Sequence, residues 1–311
     1  MNRRRFTKTL ALGAASLAMS KTARSLIEET PRLAITIDDF NFFGATSTVA
    51  AKRNRTLLDT LRLHSDLKAA AFICGRNVDS EMGKNLVAEW SGAGHIIANH
   101  TYSHWYYPGR KFEDYTQDIL RVEPLIKDLT GFRKYFRFPM LKEGDTAEKR
   151  DNMRLFLARH GYRMGYVTID ASDWYIDERL RARLSKNPNA DLTGYKKYYL
   201  NHLWDRAVYY NSLSRKALGR SVKHTLLIHH NVLNETFLAD ALTMFERKGW
   251  KLINAEEAFT DPVFDTAPNI LPAGESIIWA LAKESGKFNN VLRYPGEDGE
   301  YEKPRMDKLG L

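Results

Sequence analysis

Two hydrophobic patterns alternate along the chain. Short apolar runs rich in β-branched and aromatic residues end near Asp38, Cys74, Ala98, Phe138, Ile169, His229 and Asn254. Between them lie longer stretches with helical spacing, at 54–65, 81–93, 111–129, 147–160 and 235–248. Short apolar runs bounded by polar residues read as buried strands, and apolar positions recurring every three or four residues read as helices. Strands alternating with helices predict parallel βαβ units. Seven such strands predict a closed or nearly closed barrel, with an open doubly wound sheet as the alternative.

The longest connection, 175–222, carries Tyr195, Tyr198, Tyr199, Trp204, Tyr209 and Tyr210. It is expected to be a helical insertion whose aromatics pack on the barrel; sugar stacking is the second reading. The tail 262–311 holds a helix-like piece at 275–285 and a Gly/Pro-rich end. It is expected to wrap on the barrel as a C-terminal extension, leaving 30–261 as the barrel itself.

The first residues change the picture of where the chain acts. MNRRRFTKTLALGAASLA has a basic stretch (Arg3, Arg4, Arg5, Lys8), then an apolar stretch from Leu10 to Ala18 broken only by small residues. That order is the order of an export signal, and the apolar part is too short for a stable membrane anchor. The Arg pair followed by Phe6 and Lys8 resembles a twin-arginine signal. Residues 1–18 are thus expected to be removed on export, placing a bacterial protein in the periplasm or outside the cell with no integral membrane span. The chain of 311 residues carries a formal charge of +9; residues 1–18 hold four basic residues and no acid, so the remainder carries +5. A mildly basic surface suits an anionic cell wall or polysaccharide, but an ordinary solvated face is the expected reading. No basic stripe interleaved with aromatics stands out, so nucleic acid is not an expected partner. The single cysteine, Cys74, excludes an internal disulfide and sits in the apolar run AAAFICG, the setting of a buried hydrophobe rather than a nucleophile.

Candidate chemistry gathers at the strand ends. In β/α barrels the active site forms at the C-terminal ends of the strands. Asp38 and Asp39 end the first strand; His100 and His104 follow the third; Arg137 follows the fourth; Asp170, Asp173 and Trp174 follow the fifth; His229 ends the sixth. Asp39, His100 and His104 supply one carboxylate and two imidazoles. A catalytic zinc site uses three protein ligands and an open position; the same donors suit Co²⁺, Ni²⁺ or Fe²⁺. Consecutive strand residues point to opposite faces, so one acid of the pair is expected to bind the metal and the other, Asp38, to accept a proton.

From residue 32 to 255 the motifs resemble, in order, those of the polysaccharide deacetylase family, carbohydrate esterase family 4: TIDDF, HTYSH, RFP, DASDW and LLIH. The resemblance implies a distorted (β/α)7 barrel and a metal-dependent hydrolase. Its implied reaction removes N-acetyl groups from amino sugars of an N-acetylglucosamine-type glycan and releases acetate. Carried over, Asp38 is the general base, with Arg137 pairing and orienting it. Asp39, His100 and His104 hold the metal. His229 is the general acid, braced by Asp173, and Trp174 walls the substrate groove. Two departures stand out. Phe40 replaces the family's glycine after the Asp pair and is expected to make the rim bulkier. Met140 replaces an aromatic after RFP and is expected to offer its backbone N–H to the substrate's oxyanion. His230, next to His229, is expected to face away and be structural. Rivals on the same residues are an O-acetyl esterase, a small-amide hydrolase, or a carbohydrate-binding protein without catalysis.

Overall fold

Arg32–Asp39 forms the first strand, β1, and its side chains explain its place. Leu33, Ala34, Ile35, Thr36 and Ile37 are all fully buried, on both faces of the strand. Such a strand belongs inside a parallel sheet covered by helices. In this computed structural model, which describes residues 29–42, 45–293 and 299–311, β1 lies between β2 (Ala70–Ile73) and β7 (Lys223–His229). The sheet continues through β3 (Ile96–Asn99) and β4 (Phe132–Phe136) to β6 (Arg163–Met164), and the short β8 (Lys251–Leu252) pairs with the start of β1. Every pairing in this sheet is parallel. Residues 31–311 form one compact unit, and the expected export signal lies outside the described residues.

The sheet closes through one segment. Residues 163–164 pair with β4, and five residues later Ile169 bridges Leu226 of β7. The crossing needs Gly165: its N–H donates to Phe136 O at 2.7 Å, and a Cβ there would come within 2.4 Å of the Phe72 ring. The result is the distorted (β/α)7 barrel. Crossing from one neighbour to another is also why the fifth run is not one continuous strand.

Helices cover the sheet. They are α1 (Ser47–Leu63), α2 (Gly75–Val78), α3 (Glu81–Gly92), α4 (Phe112–Leu120), α5 (Glu123–Ile126) and α6 (Ala147–Arg159) in the first half. The second half has α7 (Asp173–Lys186), α8 (Thr193–Leu218), α9 (Val232–Arg247) and α10 (Ala255–Ala258). Thr46, Ser80, Thr146 and Asn231 cap α1, α3, α6 and α9 with side-chain oxygens that accept from backbone N–H groups. The stretch 111–129 is two helices rather than one, because Pro124 can sit only in a first turn. In α8, Tyr195, Tyr199 and Tyr210 are buried and Tyr198, Trp204 and Tyr209 pack against the same core, so these aromatics are packing residues rather than a stacking surface.

The C-terminal residues lie on this body. β9 (Ala273–Gly274) pairs antiparallel with β5 (Lys142–Gly144), α11 (Ile277–Glu284) packs on α8, and α12 (Lys303–Lys308) follows. Met306 of α12 is fully buried, and Asp307 pairs with Arg179 of α7 at 2.7 Å. Among the described residues no helix is long and apolar enough to cross a membrane.

Candidate active site

The register of the sheet places Asp38 opposite Phe72 on one side and His229 on the other. Strand ends far apart in sequence thus meet at one rim. The chain leaves β1 through two left-handed residues, Asp39 (φ 75°) and Phe40 (φ 52°). This turn overrides the strand alternation expected for the acid pair. Both carboxylates face the same imidazole: His100 Nε2 lies 3.5 Å from Asp39 Oδ1 and 3.7 Å from Asp38 Oδ2. Phe40 also departs from expectation. It does not crowd the rim; the turn sends it inward, fully buried, against Trp90, Phe42 and His230. Thr101, His104, Met140 and Leu141 share the left-handed conformation. Non-glycine residues there cost on the order of 1–3 kcal/mol each and concentrate at functional sites.

The HTYSH loop is held from below. Asp118 of α4 accepts the Ser103 hydroxyl at 2.7 Å and the Ser103 N–H at 2.9 Å, and Asn99 Oδ1 accepts the Thr101 N–H. That clamp brings His104 Nε2 to 3.1 Å from Asp39 Oδ1. The ligand atoms of Asp39, His100 and His104 lie within 4.8 Å of one another. Asp118 was not among the sequence candidates, because it comes from a helix interior rather than from a strand end.

The donor set fits a cation. His100 Nδ1 meets the Arg137 carbonyl oxygen at 2.9 Å, so it carries the proton. Its Nε2 then faces Asp39 Oδ1 at 3.5 Å, an oxygen shielded from solvent. Two lone-pair donors turned on each other are reconciled by a positive charge between them. Burial alone would raise the Asp39 carboxyl, yet the neighbouring His104 holds it well below the usual range. Burial alone would lower His104, yet Asp39 raises it.

On one side of this cluster stands Asp38, fully enclosed. Arg137 Nη1 meets Asp38 Oδ1 at 2.6 Å and Thr36 Oγ1 at 2.9 Å, while Arg137 Nε donates to Gly165 O at 2.8 Å. The guanidinium lies 3.8 Å over the Phe72 ring. On the other side stands His229, with Nδ1 2.8 Å from Asp173 Oδ1. The second oxygen of Asp173 accepts from the His229 N–H, Asn231 Nδ2 and Asn234 Nδ2. Burial would lower His229, but the Asp173 charge and hydrogen bond, with Asp39 and Asp38 nearby, push it up to about 10. Asn231 and Asn234 were also missed by sequence reading, since they lie in the capping turn of α9.

Asp38, Asp39, His100, His104 and His229 line one cavity of about 360 Å³, with Trp174 and Met140 on its walls. Arg137 and Asp173 stand directly behind it, each bonded to a lining residue. Trp174 and His229 also border a second cavity of about 330 Å³. His230 points away from the first cavity, into the rings of Phe40, Phe42 and Trp90. Cys74 is buried, donates to Tyr102 O, and burial pushes its thiol up to about 12. It lies outside this chemistry.

Comparison with known proteins gives the same picture. Residues 27–165 match the family model for polysaccharide deacetylases. That segment carries Asp38, Asp39, His100, His104 and Arg137; Asp173, Trp174 and His229 lie beyond it. A peptidoglycan-N-acetylglucosamine deacetylase of Bacillus cereus is 29% identical over 119 residues, 38% of this chain and 40% of the relative. The match thus spans well under half of that curated relative. Among solved structures, the chitin deacetylase of Colletotrichum lindemuthianum superposes with a TM-score of 0.51 at 19% identity, over 74% of this chain and 88% of the other. A family 4 carbohydrate esterase of Bacillus subtilis gives 0.50 at 19% identity, over 74% and 81%. A mutant of a pseudoenzyme of the same esterase family gives 0.51 at 16% identity, over 74% and 67%. At these identities the structures speak for the fold alone. Motifs, fold and matched segment agree: residues 27–165, somewhat under half of the chain, are similar to the polysaccharide deacetylase family.

Proposed function

We propose that this protein is a metal-dependent N-deacetylase of an N-acetylglucosamine-type oligo- or polysaccharide, releasing acetate and a free amino sugar. One observation carries the reading. An anchored carboxylate, Asp38 on Arg137, and an anchored imidazolium, His229 on Asp173, flank the same Asp39–His100–His104 cluster. A base and an acid on either side of a Lewis-acid site is the equipment amide hydrolysis needs.

Asp39, His100 and His104 would hold a divalent ion, Zn²⁺ first, with Co²⁺, Ni²⁺ or Fe²⁺ also suited to the donors. When bound, the ion supplies Lewis acidity that makes water more acidic and polarises the acetyl carbonyl. Asp38 takes the proton of the attacking water, and Arg137 holds its carboxylate in place for that task. The water oxygen bonds to the carbonyl carbon, and the Met140 backbone N–H assists the developing oxyanion. His229 gives its proton to the sugar nitrogen as the C–N bond breaks. Asp173 keeps His229 charged beforehand and oriented during transfer. Trp174 gives the sugar a flat wall.

The test is acetate release by purified protein from a panel of chitooligosaccharides, peptidoglycan and O-acetylated glycans, with and without a chelator. Chelator-sensitive release from N-acetylated members is expected. Release only from O-acetylated members, or glycan binding with no release, would replace this reading with one of its rivals. Export of the protein to the periplasm or medium is part of the same proposal. It rests on residues 3–8, and Lys substitutions at Arg3, Arg4 and Arg5 should block the twin-arginine route.

A further inference from the structure

The C-terminal extension reaches the general acid through a chain of buried polar contacts. Glu302, just before α12, is 1% exposed. Its carboxylate accepts the Tyr198 hydroxyl and lies 3.5 Å from His202 Nδ1. His202, buried on α8, turns its other nitrogen to the DASDW loop: Nε2 accepts the Ser172 N–H at 2.9 Å. Accepting there leaves the neutral ring's proton on Nδ1, aimed at Glu302. Ser172 precedes Asp173, the residue bonded to His229 Nδ1. Three residues before His202, Tyr199 donates its hydroxyl to Asn234 Oδ1, and Asn234 Nδ2 donates to Asp173. One turn of α8 therefore grips both the loop and the carboxylate that orients His229.

The extension is bedded tightly enough to act this way. Asp307 pairs with Arg179, whose guanidinium also donates to the Leu311 carbonyl. A Cβ on Gly299 would lie 2.6 Å from the Tyr175 ring, and one on Gly194 would lie 2.8 Å from Leu311. Burial works against a charged Glu302, but its hydrogen bonds to His202 and Tyr198 more than offset that, and its carboxyl falls to about 2. The carboxylate is ionised at every pH at which the enzyme would work.

We infer that Glu302 and His202 are positioning residues for the general acid: the C-terminal extension, through Glu302 and His202, sets the Ser172–Asp173 backbone and thereby the orientation of His229. The inference rests on the deacetylase reading above. Neither residue touches the cavity, so neither is a catalytic residue. The physical reason is reach. Asp173 binds His229 at 2.8 Å, and a shift of the loop passes directly into the aim of His229 at the leaving nitrogen.

The experiment separates positioning from general damage by the leaving group. An amine needs a proton as it departs, and a nitrophenolate does not. Full-length Glu302→Ala, Glu302→Gln and His202→Phe are compared with wild type on an N-acetylglucosamine oligomer and on nitrophenyl acetate. Metal content and thermal unfolding are measured for each. Loss of a supporting partner typically costs about 10-fold or more. Glu302→Ala and His202→Phe are expected to lose about that much kcat on the amide, with KM and the ester rate unchanged. Glu302→Gln keeps an acceptor for His202 and recovers most of the loss; His202→Phe carries the test if the alanine variant folds poorly. Equal losses on both substrates, or none, in Glu302→Ala and His202→Phe overturn the inference. His229→Ala is the reference. If it is selective for the amide and the Glu302 and His202 variants are not, only this inference falls. If it is itself unselective, the acid role of His229 falls and takes both with it.

Discussion

The Arg137 carbonyl oxygen receives the His100 Nδ1 proton at 2.9 Å while the Arg137 side chain grips Asp38 at 2.6 Å. One residue thus orients a proposed metal ligand with its backbone and the proposed base with its guanidinium. The two tasks come from different atoms, so a side-chain substitution removes only the second.

Arg137→Met is therefore expected to keep metal and lose activity. It leaves Asp38 buried without its partner and Thr36 Oγ1 without a donor. Breaking a buried pair by removing one member costs roughly 3–5 kcal/mol. Urea unfolding reads the stability, and metal analysis after dialysis reads the retained site. A variant with near-normal activity would remove Arg137 from the base's support.

Metal affinity is expected to depend on a residue outside the proposed ligand set. His104→Ala removes one of three protein donors, and bound metal after dialysis should fall well below one per chain. Asp118→Ala removes no donor but frees the loop it holds at Ser103. Its metal affinity should fall roughly 10- to 100-fold, the range found for groups that orient ligands. Titration with a competing chelator measures both; unchanged affinity in Asp118→Ala would assign the loop's shape to other contacts.

The pH dependence follows from His229. In the metal-free protein its pKa is raised from an ordinary 6.5 to about 10, so the donor form is the populated one at neutral pH. Amide hydrolysis should fall on the alkaline side as His229 loses its proton, and a bound cation beside Asp39 moves that limb downward from about 10. Asp173→Asn removes the main group raising His229, so its alkaline limb should move to lower pH. The same shift stabilises the fold fully below about 6.5 and progressively less as pH rises toward 10. Rate profiles of wild type and Asp173→Asn, each metal-loaded, decide the matter; coincident alkaline limbs would detach Asp173 from His229.

His230 sets an opposite dependence. Burial among Phe40, Phe42 and Trp90 lowers it to about 3, and neither ring nitrogen has a hydrogen-bond partner. Unfolding lets it take up a proton, so stability is lost as pH falls from about 6.5 toward 3. Between pH 7 and pH 5 that loss is roughly 2 kcal/mol. His230→Phe should shrink it by about that amount while leaving activity intact. Urea unfolding at the two pH values measures the difference; an equal acid loss in the variant would shift the burden to the buried His95 and His224, lowered to about 4 and about 3.

The sequence by itself determined the strand ends and the residue types placed there. Apolar runs ending in Asp38, in the turn before His100, at Arg137 and at His229 are local patterns, and a parallel βα architecture brings such ends to one rim whatever the details. Tertiary structure alone decided how those residues are aimed. Asp38 and Asp39 face one imidazole because the chain leaves β1 through two left-handed residues, and the same turn buries Phe40. Strand periodicity has no term for such a turn. The supporting partners were equally hidden: Asp118 for the His loop, Asn231 and Asn234 for Asp173, and Glu302 with His202 for Ser172. They sit in helices, caps and the C-terminal tail, where polar residues are common and carry no local signal. Glu302 lies one hundred residues from His202, and Asp38 ninety-nine from Arg137. Pairs that distant exist only once the sheet has curled, and the curl depends on a short crossing segment, Arg163 to Ile169, that has almost no regular strand of its own.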